Sequence, residues 1–296
     1  MISPRRRFAT MLRSRVGGPD TDALVANVYI APGERWFHPD DPICRVHDDA
    51  AMFVGGLRAL LLQALHPLAM AGVAGHSGYR SDPWGRLQRT NHYIGITTFA
   101  PISEAEALLA RIRGVHQRVR GKAEDGRPYR ASDPHLLKWV HLAEADSFLV
   151  AHQRYGARPR LTAAEADRYV AQIGSVSERL GVVEAPTTVD ELKAAIDTYR
   201  PELAVTEACR DTVAFLLKEP PVPGIARPGY QLLAAGALAT LPDWVRDELG
   251  VRTPALAGPL GALGTTAVRW ALEEPSLVHE RRRNAMRTAL STTGRV

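Results

Sequence analysis

The sequence has little cysteine and lacks the short motifs that mark the commonest enzyme classes. Its two cysteines, Cys44 and Cys209, lie far apart in the chain. We therefore expect neither a disulfide framework nor a cysteine-ligated zinc site, and both are predicted to be small core residues. No HExxH pair, Walker P-loop, GxSxG elbow or GxGxxG fingerprint occurs. These absences argue against zinc proteases, P-loop nucleotidases, serine hydrolases and Rossmann dehydrogenases.

An uninterrupted apolar run long enough to cross a bilayer, about 20 residues, is also missing. The most apolar window, residues 51–75, is broken near its middle by Arg58, Gln63, His66 and Pro67. Each of these residues is costly in lipid. The window therefore predicts a buried core helix that carries polar groups, and no transmembrane segment is expected.

The excess of positive charge is not spread evenly over the chain. The formal net charge is +5, and much of the basic excess lies at the two ends, in "PRRRF" and "ERRRNAMR". Such runs are usually solvated tails, so no nucleic-acid partner is expected. The basic N-terminus has no apolar stretch of a secretory signal behind it. Together with the scarce cysteine, this favours a cytoplasmic location.

Alternating strand patterns are nearly absent, and helix starts are frequent. "SDP" occurs at residues 81–83 and 132–134, where aspartate can cap a helix whose first turn holds proline. Capping boxes are predicted at Ser103 with Glu106, Thr162 with Glu165, and Thr188 with Glu191. Residues 121–133, which include an Asp-Gly pair, are predicted to be a surface loop. The expected fold class is all-α, a single multi-helix domain of about ten helices spanning residues 1–296.

Cationic and hydroxyl side chains share one face of the helix predicted to begin after Asp82. They are spaced at i, i+3, i+4 and i+7, which places them on the same side of a helix. They are Arg86, Arg89, Thr90 and Tyr93. Guanidinium groups can bind carboxylates such as haem propionates, and hydroxyls can donate hydrogen bonds to bound oxygen or a substrate carbonyl. The alternative is a solvated stripe paired with acids from another helix.

Three histidines lie in helical stretches and are candidate ligands: His66, His116 and His141. A histidine that projects from an apolar helix into a core can supply an axial ligand to haem iron. The alternative for each is a core histidine with satisfied hydrogen bonds. Pro67 directly after His66 is expected to disturb the helix and create a pocket wall.

A di-metal carboxylate site is a weaker alternative. Its carboxylates would come from Asp82, Asp133, Glu144 and Asp146, with the same histidines. However, the Glu-x-x-His spacing that such bundles use on paired helices does not occur. A non-haem metal is therefore less favoured.

Three segments together resemble the DUF2236 family, the catalytic domain of latex-clearing rubber oxygenases and of the fungal oxygenase of mycophenolic acid biosynthesis. They are "LLLQALHPLAMAGVAGHSGYRSDPWGRLQRT", "VHQRVRG" and "DPHLLKWVH", the last followed by "DS". The likeness covers roughly residues 45–250, most of the chain. It implies an all-α fold that holds b-type haem and the oxidative cleavage of a carbon–carbon double bond.

The resemblance also assigns roles. In rubber oxygenases an Arg-x-x-Lys-Thr element lies over the haem. Here "RLQRT" places Arg89 at the lysine position, which leaves the distal site open, water-filled or closed by His66. The proximal ligand corresponds to His141, with His116 as the alternative.

The other roles follow from that placement. Arg89 and Thr90 would stabilise charge on bound oxygen, Arg86 or Arg80 would hold a propionate, and Tyr93 would also contact the cofactor. The glutamate base of the family has no counterpart in these motifs.

These residues predict a haem b-dependent oxygenase that acts with O2 on an apolar or amphipathic small molecule. Two other functions stay open. One is a haem- or ligand-binding accessory protein without turnover, and the other is an all-α interaction protein without a cofactor.

Overall fold

The computed structural model describes residues 31–272, together with the isolated residues Gly18, Val28 and Asn284. Within that part the chain forms twelve α-helices, two 3-10 helices and one two-stranded sheet. In chain order they are α1 Pro42–His47, α2 Met52–Gln63, α3 Pro67–His76, α4 Pro83–Phe99, α5 Ile102–His116, β1 Arg120–Lys122, β2 Pro128–Arg130, α6 Pro134–Tyr155, α7 Ala163–Leu180, α8 Val189–Tyr199, η1 Arg200–Glu202, α9 Glu207–Leu217, η2 Gly224–Ala226, α10 Arg227–Thr240, α11 Asp243–Leu249 and α12 Ala257–Leu272. The all-α fold class is confirmed. The two basic termini lie outside the described residues.

Several helices begin where the capping pattern predicts. Asp82 accepts a hydrogen bond from the Gly85 amide at the start of α4, and Asp133 accepts one from the His135 amide at the start of α6. Thr162 and Glu165 form a complete capping box at the start of α7. These side chains satisfy amides that have no partner within their own helix.

Two local predictions are wrong. Ser103 does not cap a helix, because α5 begins one residue earlier, after Pro101. Residues 121–133 are not simply a loop, because β1 and β2 pair antiparallel as a short hairpin. The ring of Tyr129 is buried in β2 and lies against Gly72 of α3. This contact with a distant helix supports strands that the local sequence does not favour.

The apolar window forms two helices rather than the single buried helix expected from its composition. The axes of α2 and α3 differ by 111°. His66 is extended, with φ −88° and ψ 112°, as a residue before proline usually is. Pro67 then occupies the first turn of α3. In the described part of the chain, no single helix has the length and apolar character to span a membrane.

Helix α6 lies at the centre of the core, where Trp139 and Leu142 are fully buried. Helix α2 packs closely against it, since a Cβ on Gly55 would lie 3.0 Å from the Phe148 ring. The guanidinium of Arg58 in α2 is buried and forms an ion pair of 2.7 Å with Asp146. It also donates to the Ser147 hydroxyl and the Thr240 carbonyl. A buried charge needs such partners, so this contact fixes α2 against α6.

Helix α4 differs from α6 in how it is packed. Its only fully buried residues are the last four, Ile96 to Phe99. The residues from Pro83 to Gly95 are half-buried or exposed. The cationic face predicted from the sequence therefore lies on the less tightly packed part of this helix.

Candidate active site

A narrow pocket, partly open to solvent, lies between α1, α4, α6 and α7. It is too small to hold a drug-sized ligand without movement of its walls. Its walls are mainly apolar, with a few polar groups. They are formed by Ile43, His47, Tyr93, Ile94, Thr97, Thr98, Glu144, Phe148, Ile173, Val176 and Ser177.

Glu144 gives the pocket a carboxyl group that changes charge near neutral pH. Burial raises the pKa of Glu144 to about 7, against smaller opposing effects of Gln63 and Arg86. The Gln63 amide donates to a Glu144 oxygen at 3.4 Å. A pocket carboxyl with such a pKa can hold a proton or accept one at physiological pH.

His141 is buried beside the pocket, with 3% of its surface exposed. The Ser177 hydroxyl lies 2.8 Å from His141 Nδ1 and 3.1 Å from the Ile173 carbonyl. When it donates to the carbonyl, its oxygen can accept the proton on Nδ1, and the neutral ring then has a lone pair on Nε2. Burial lowers the pKa of His141 to about 4, so the ring is neutral at pH 7.

The Nε2 atom of His141 is buried and has no hydrogen-bond partner among the described residues. Buried polar atoms without partners are rare in native proteins, and a missing ion or ligand is one common explanation. A neutral imidazole whose second nitrogen is fixed by a hydrogen bond is the usual state of a metal ligand. The chemistry of this donor fits haem iron.

Tyr93 and His47 complete the polar lining. Burial raises the pKa of Tyr93, and the charge of Glu144 raises it further. Burial lowers the pKa of His47 to about 3. His47 Nδ1 lies 2.8 Å from the Thr98 hydroxyl. The Nε2 atom of His47 lies 3.4 Å from the Tyr169 hydroxyl, so both of its ring nitrogens have partners. Both side chains are neutral at pH 7 and add no charge to the pocket.

The predicted cationic face of α4 is divided between the pocket and the solvent. Tyr93 lines the pocket, and Arg86 is half-buried near Glu144, with a hydrogen bond of 3.3 Å to the Ser77 hydroxyl. Arg89 is exposed and pairs with Asp82 of its own helix cap at 3.3 Å. Thr90 is exposed as well. The pocket wall thus includes Tyr93, with Arg86 beside it, and does not include Arg89 or Thr90.

Arg80 lies away from the pocket. Its Nε donates to Asp211 of α9 at 2.7 Å, and its guanidinium stacks over the Phe215 ring at 5.3 Å. Its charge therefore serves to attach the segment before α4 to α9.

The other two candidate histidines do not line the pocket. His116 is half-buried at the end of α5, and its Nδ1 is a buried atom for which the described residues provide no hydrogen-bond partner. His66 caps α3, and burial lowers its pKa to about 4 against the opposing effect of Glu202.

Three pocket residues were not predicted in these roles: Glu144, Ser177 and His47. Glu144 follows His141 by three residues, so helical spacing places the two near each other on α6. Ser177 and His47 come from other helices. Only their tertiary position shows that they belong to the site.

The described residues thus form an all-α domain in which a buried, neutral histidine lies beside a pocket that contains a glutamate. The family model described as "ER-bound oxygenase mpaB/B'/Rubber oxygenase, catalytic domain" matches residues 44–270. The chain belongs to this oxygenase family. No curated protein and no solved structure gives a significant match to the chain.

Proposed function

We propose that the protein is a haem b-dependent oxygenase that acts with O2 on an apolar or amphipathic small molecule. The observation that carries the proposal is the buried, neutral His141, whose Nε2 has no partner within residues 31–272. In this proposal His141 holds the haem iron, and Ser177 keeps the ring in the tautomer that a ligand needs. Bound haem would supply the oxygen chemistry, which amino-acid side chains cannot perform.

The pocket is narrower than a haem, so binding requires part of its wall to move. Helix α4 is the wall best able to do so, because residues 83–95 contain no fully buried side chain. In α6 and α7, by contrast, many residues are fully buried. Of the α4 residues in the pocket wall, Tyr93 and Ile94 are only half-buried. Outward movement of α4 up to this point would therefore widen the pocket while Thr97 and Thr98 stay in the core.

The remaining residues of the site have separate roles in this proposal. Glu144, with a pKa of about 7, accepts a proton from the substrate or returns one to the product. The neutral Tyr93 hydroxyl orients a polar group of the substrate. Arg86 is a half-buried cation placed to bind a haem propionate once α4 has moved.

The apolar lining indicates the class of substrate. Five aliphatic and aromatic side chains face the pocket: Ile43, Ile94, Phe148, Ile173 and Val176. An unsaturated isoprenoid or another lipid-like compound would bury its chain against them. Arg89 and Thr90 keep their predicted distal roles only if the movement of α4 turns them toward the haem.

The absorption spectrum of the purified protein, expressed with an adequate haem supply, tests the proposal. We expect a Soret band that His141→Ala abolishes. His152→Ala is the matched control, because His152 lies on the same helix, is equally buried and also has an unpaired buried nitrogen. It should keep the band.

Each other outcome has a defined meaning. Wild-type protein without a Soret band defeats the proposal. A band that survives in His141→Ala but is lost in His116→Ala moves the iron to His116. Haem-loaded protein that consumes no O2 with unsaturated apolar compounds would instead be an accessory haem carrier.

A further inference from the structure

A second cluster of ligand atoms lies outside the pocket, where three elements meet. His66 caps α3, His135 lies in the first turn of α6, and Glu202 ends η1. One ligand atom from each of the three lies within 4.8 Å of those of the others. His135 Nε2 is 2.9 Å from Glu202 Oε2, and His66 Nε2 is 3.7 Å from the same oxygen.

The buried member of this cluster has an unexplained polar atom. His66 is 1% exposed, and its Nε2 forms no hydrogen bond with any described residue, although it points at Glu202. The ring centroids of Trp139 and Tyr199 lie 6.0 and 6.1 Å from the centroid of the His66 imidazole. Packing therefore holds His66 in place with a nitrogen directed into the cluster.

His135 is also held in place, and both it and Glu202 face solvent. His135 stacks on the ring of Tyr199 at 4.5 Å, and the Tyr199 hydroxyl donates to the His135 carbonyl at 2.9 Å. The side chains of His135 and Glu202 are 50% and 42% exposed. The cluster thus has a rigid, buried base and an open mouth through which an ion and a water molecule can enter.

We propose that His66, His135 and Glu202 form a binding site for a divalent transition-metal ion, with zinc the preferred occupant. Two imidazoles and one carboxylate are ligands that Zn²⁺ accepts in proteins, with water in the fourth position. The same ligand set also binds Fe²⁺. The site is distinct from the proposed haem ligand, because His141 is held by Ser177 on the side of α6 that faces α7.

Two of the three separations, those to Glu202, require only small shifts on binding. Ligands about 2.0–2.1 Å from a tetrahedral ion lie roughly 3.3 Å apart. His135 Nε2 and Glu202 Oε2, now 2.9 Å apart, would move slightly apart. His66 Nε2 and the same oxygen, now 3.7 Å apart, would move closer. Rotation of the exposed Glu202 carboxylate accommodates both changes.

Two neighbouring groups oppose the ion. The Ala69 amide donates to His66 Nδ1, and this bond is lost if Nε2 binds a metal and the proton moves to Nδ1. Its length of 3.5 Å is at the limit for a hydrogen bond, so little is lost. The positive Arg127 is nearby, but its charge is paired with Asp125 at 2.7 Å.

Bound zinc would connect the start of α3, the start of α6 and the segment after α8. These three elements are distant in sequence, so the ion would act as a tertiary crosslink. An ion that binds only the folded chain also stabilises it.

Isothermal titration with zinc chloride, on full-length protein first treated with a chelator, tests the proposal. We expect one high-affinity ion per chain and a higher melting temperature in its presence. Glu202→Gln and His135→Ala should weaken binding by more than the roughly 10- to 100-fold that loss of an outer-shell partner costs. His38→Ala is the matched control, since His38 is 53% exposed and lies 3.6 Å from Asp40, and it should bind as the wild type does.

The proposal is overturned if the wild type binds no zinc, or if both site variants bind it as tightly as the wild type. The haem proposal is tested separately in the same samples. Glu202→Gln should keep its Soret band, and His141→Ala should keep its zinc, so each proposal can fail without the other.

Discussion

At the scale of single residues, Ser177 determines what His141 can do. When its hydroxyl donates to the Ile173 carbonyl, its oxygen can accept from His141 Nδ1. Ser177→Ala leaves a buried N–H without a partner, which should cost about 1–3 kcal/mol of stability. The same variant should lose haem faster than the wild type, while Ser175→Ala, two residues away on α7 and half-buried, should not. Urea denaturation and haem transfer to apomyoglobin measure the two effects.

Glu144 should make stability and activity respond to pH in opposite directions. Its pKa is about 7 in the fold, against 4.5 for an ordinary glutamate. The folded state therefore holds more protons than the unfolded state between these values, and stability falls as pH rises. The contribution is fully present below about pH 4.5 and is lost by pH 8, about 3 kcal/mol at most.

Glu144→Gln is the comparison for this effect. Its unfolding free energy should lack this fall between pH 5 and 8, while oxygenase activity, which needs the ionised base in the wild type, should be low at every pH. Urea titrations at several pH values and O2 uptake measure the two properties. Parallel stability curves for variant and wild type would show that Glu144 titrates normally.

Some residues of this site can be predicted from the sequence, and others cannot. An apolar helical context made His141 one of three candidate histidines, the family resemblance favoured it, and helical spacing places Glu144 near it. The partners of His141 could not be predicted, because Ser177 is 36 residues away and meets it only through the packing of α7 on α6. The exposure of Arg89 was equally hidden, since a helical face does not reveal how deeply the helix is buried.

At the scale of helices and strands, side-chain caps are the most predictable feature. Thr162 accepts from the Glu165 amide, and the Glu165 carboxylate accepts from the Thr162 amide. Thr162→Ala should destabilise the fold by about 1 kcal/mol, whereas Thr162→Ser keeps the hydroxyl and should cost much less. Chemical denaturation would distinguish them, and equal losses in the two variants would contradict a capping role.

Helices α10 and α12 approach each other at a pair of glycines. A Cβ on Gly261 would lie 2.4 Å from the Gly236 Cα, which no rotamer change can relieve. Gly261→Ala should therefore destabilise the protein by about 1–3 kcal/mol. Gly229→Ala, in α10 but with open space around it, should be neutral or slightly stabilising. Thermal melts of both variants test whether contact, rather than helix propensity, decides.

Predictions from the local sequence were wrong where contacts with distant residues determine the structure. The hairpin of β1 and β2 depends on Tyr129, which packs under α3. At the start of α5 the Ile102 amide donates to the distant Glu34 carbonyl at 2.8 Å, and the helix begins before Ser103. Pro67 predicts the break between α2 and α3, but the local sequence does not predict the 111° angle between them.

At the scale of the whole molecule, the packing is uneven around the pocket. Residues 83–95 of α4 should exchange their amide hydrogens faster than the buried α6, because they bury few side chains. Haem should slow exchange in α4 if this helix closes over it. Hydrogen exchange with and without haem measures this directly, and unchanged exchange in α4 would place the cofactor elsewhere.

The buried Arg58 has a consequence for the nascent chain. Its guanidinium is satisfied by Ser147 and Thr240, which follow it by 89 and 182 residues. At the usual 5–20 residues per second, the ribosome needs roughly 10 to 40 s to make the second partner. Asp146 is made earlier and can pair the charge, but until Thr240 is made, burying the α2 helix would leave the Arg58 Nε without its hydrogen bond. The apolar residues around Arg58 therefore stay exposed during synthesis, and this segment is where a chaperone would bind the growing protein.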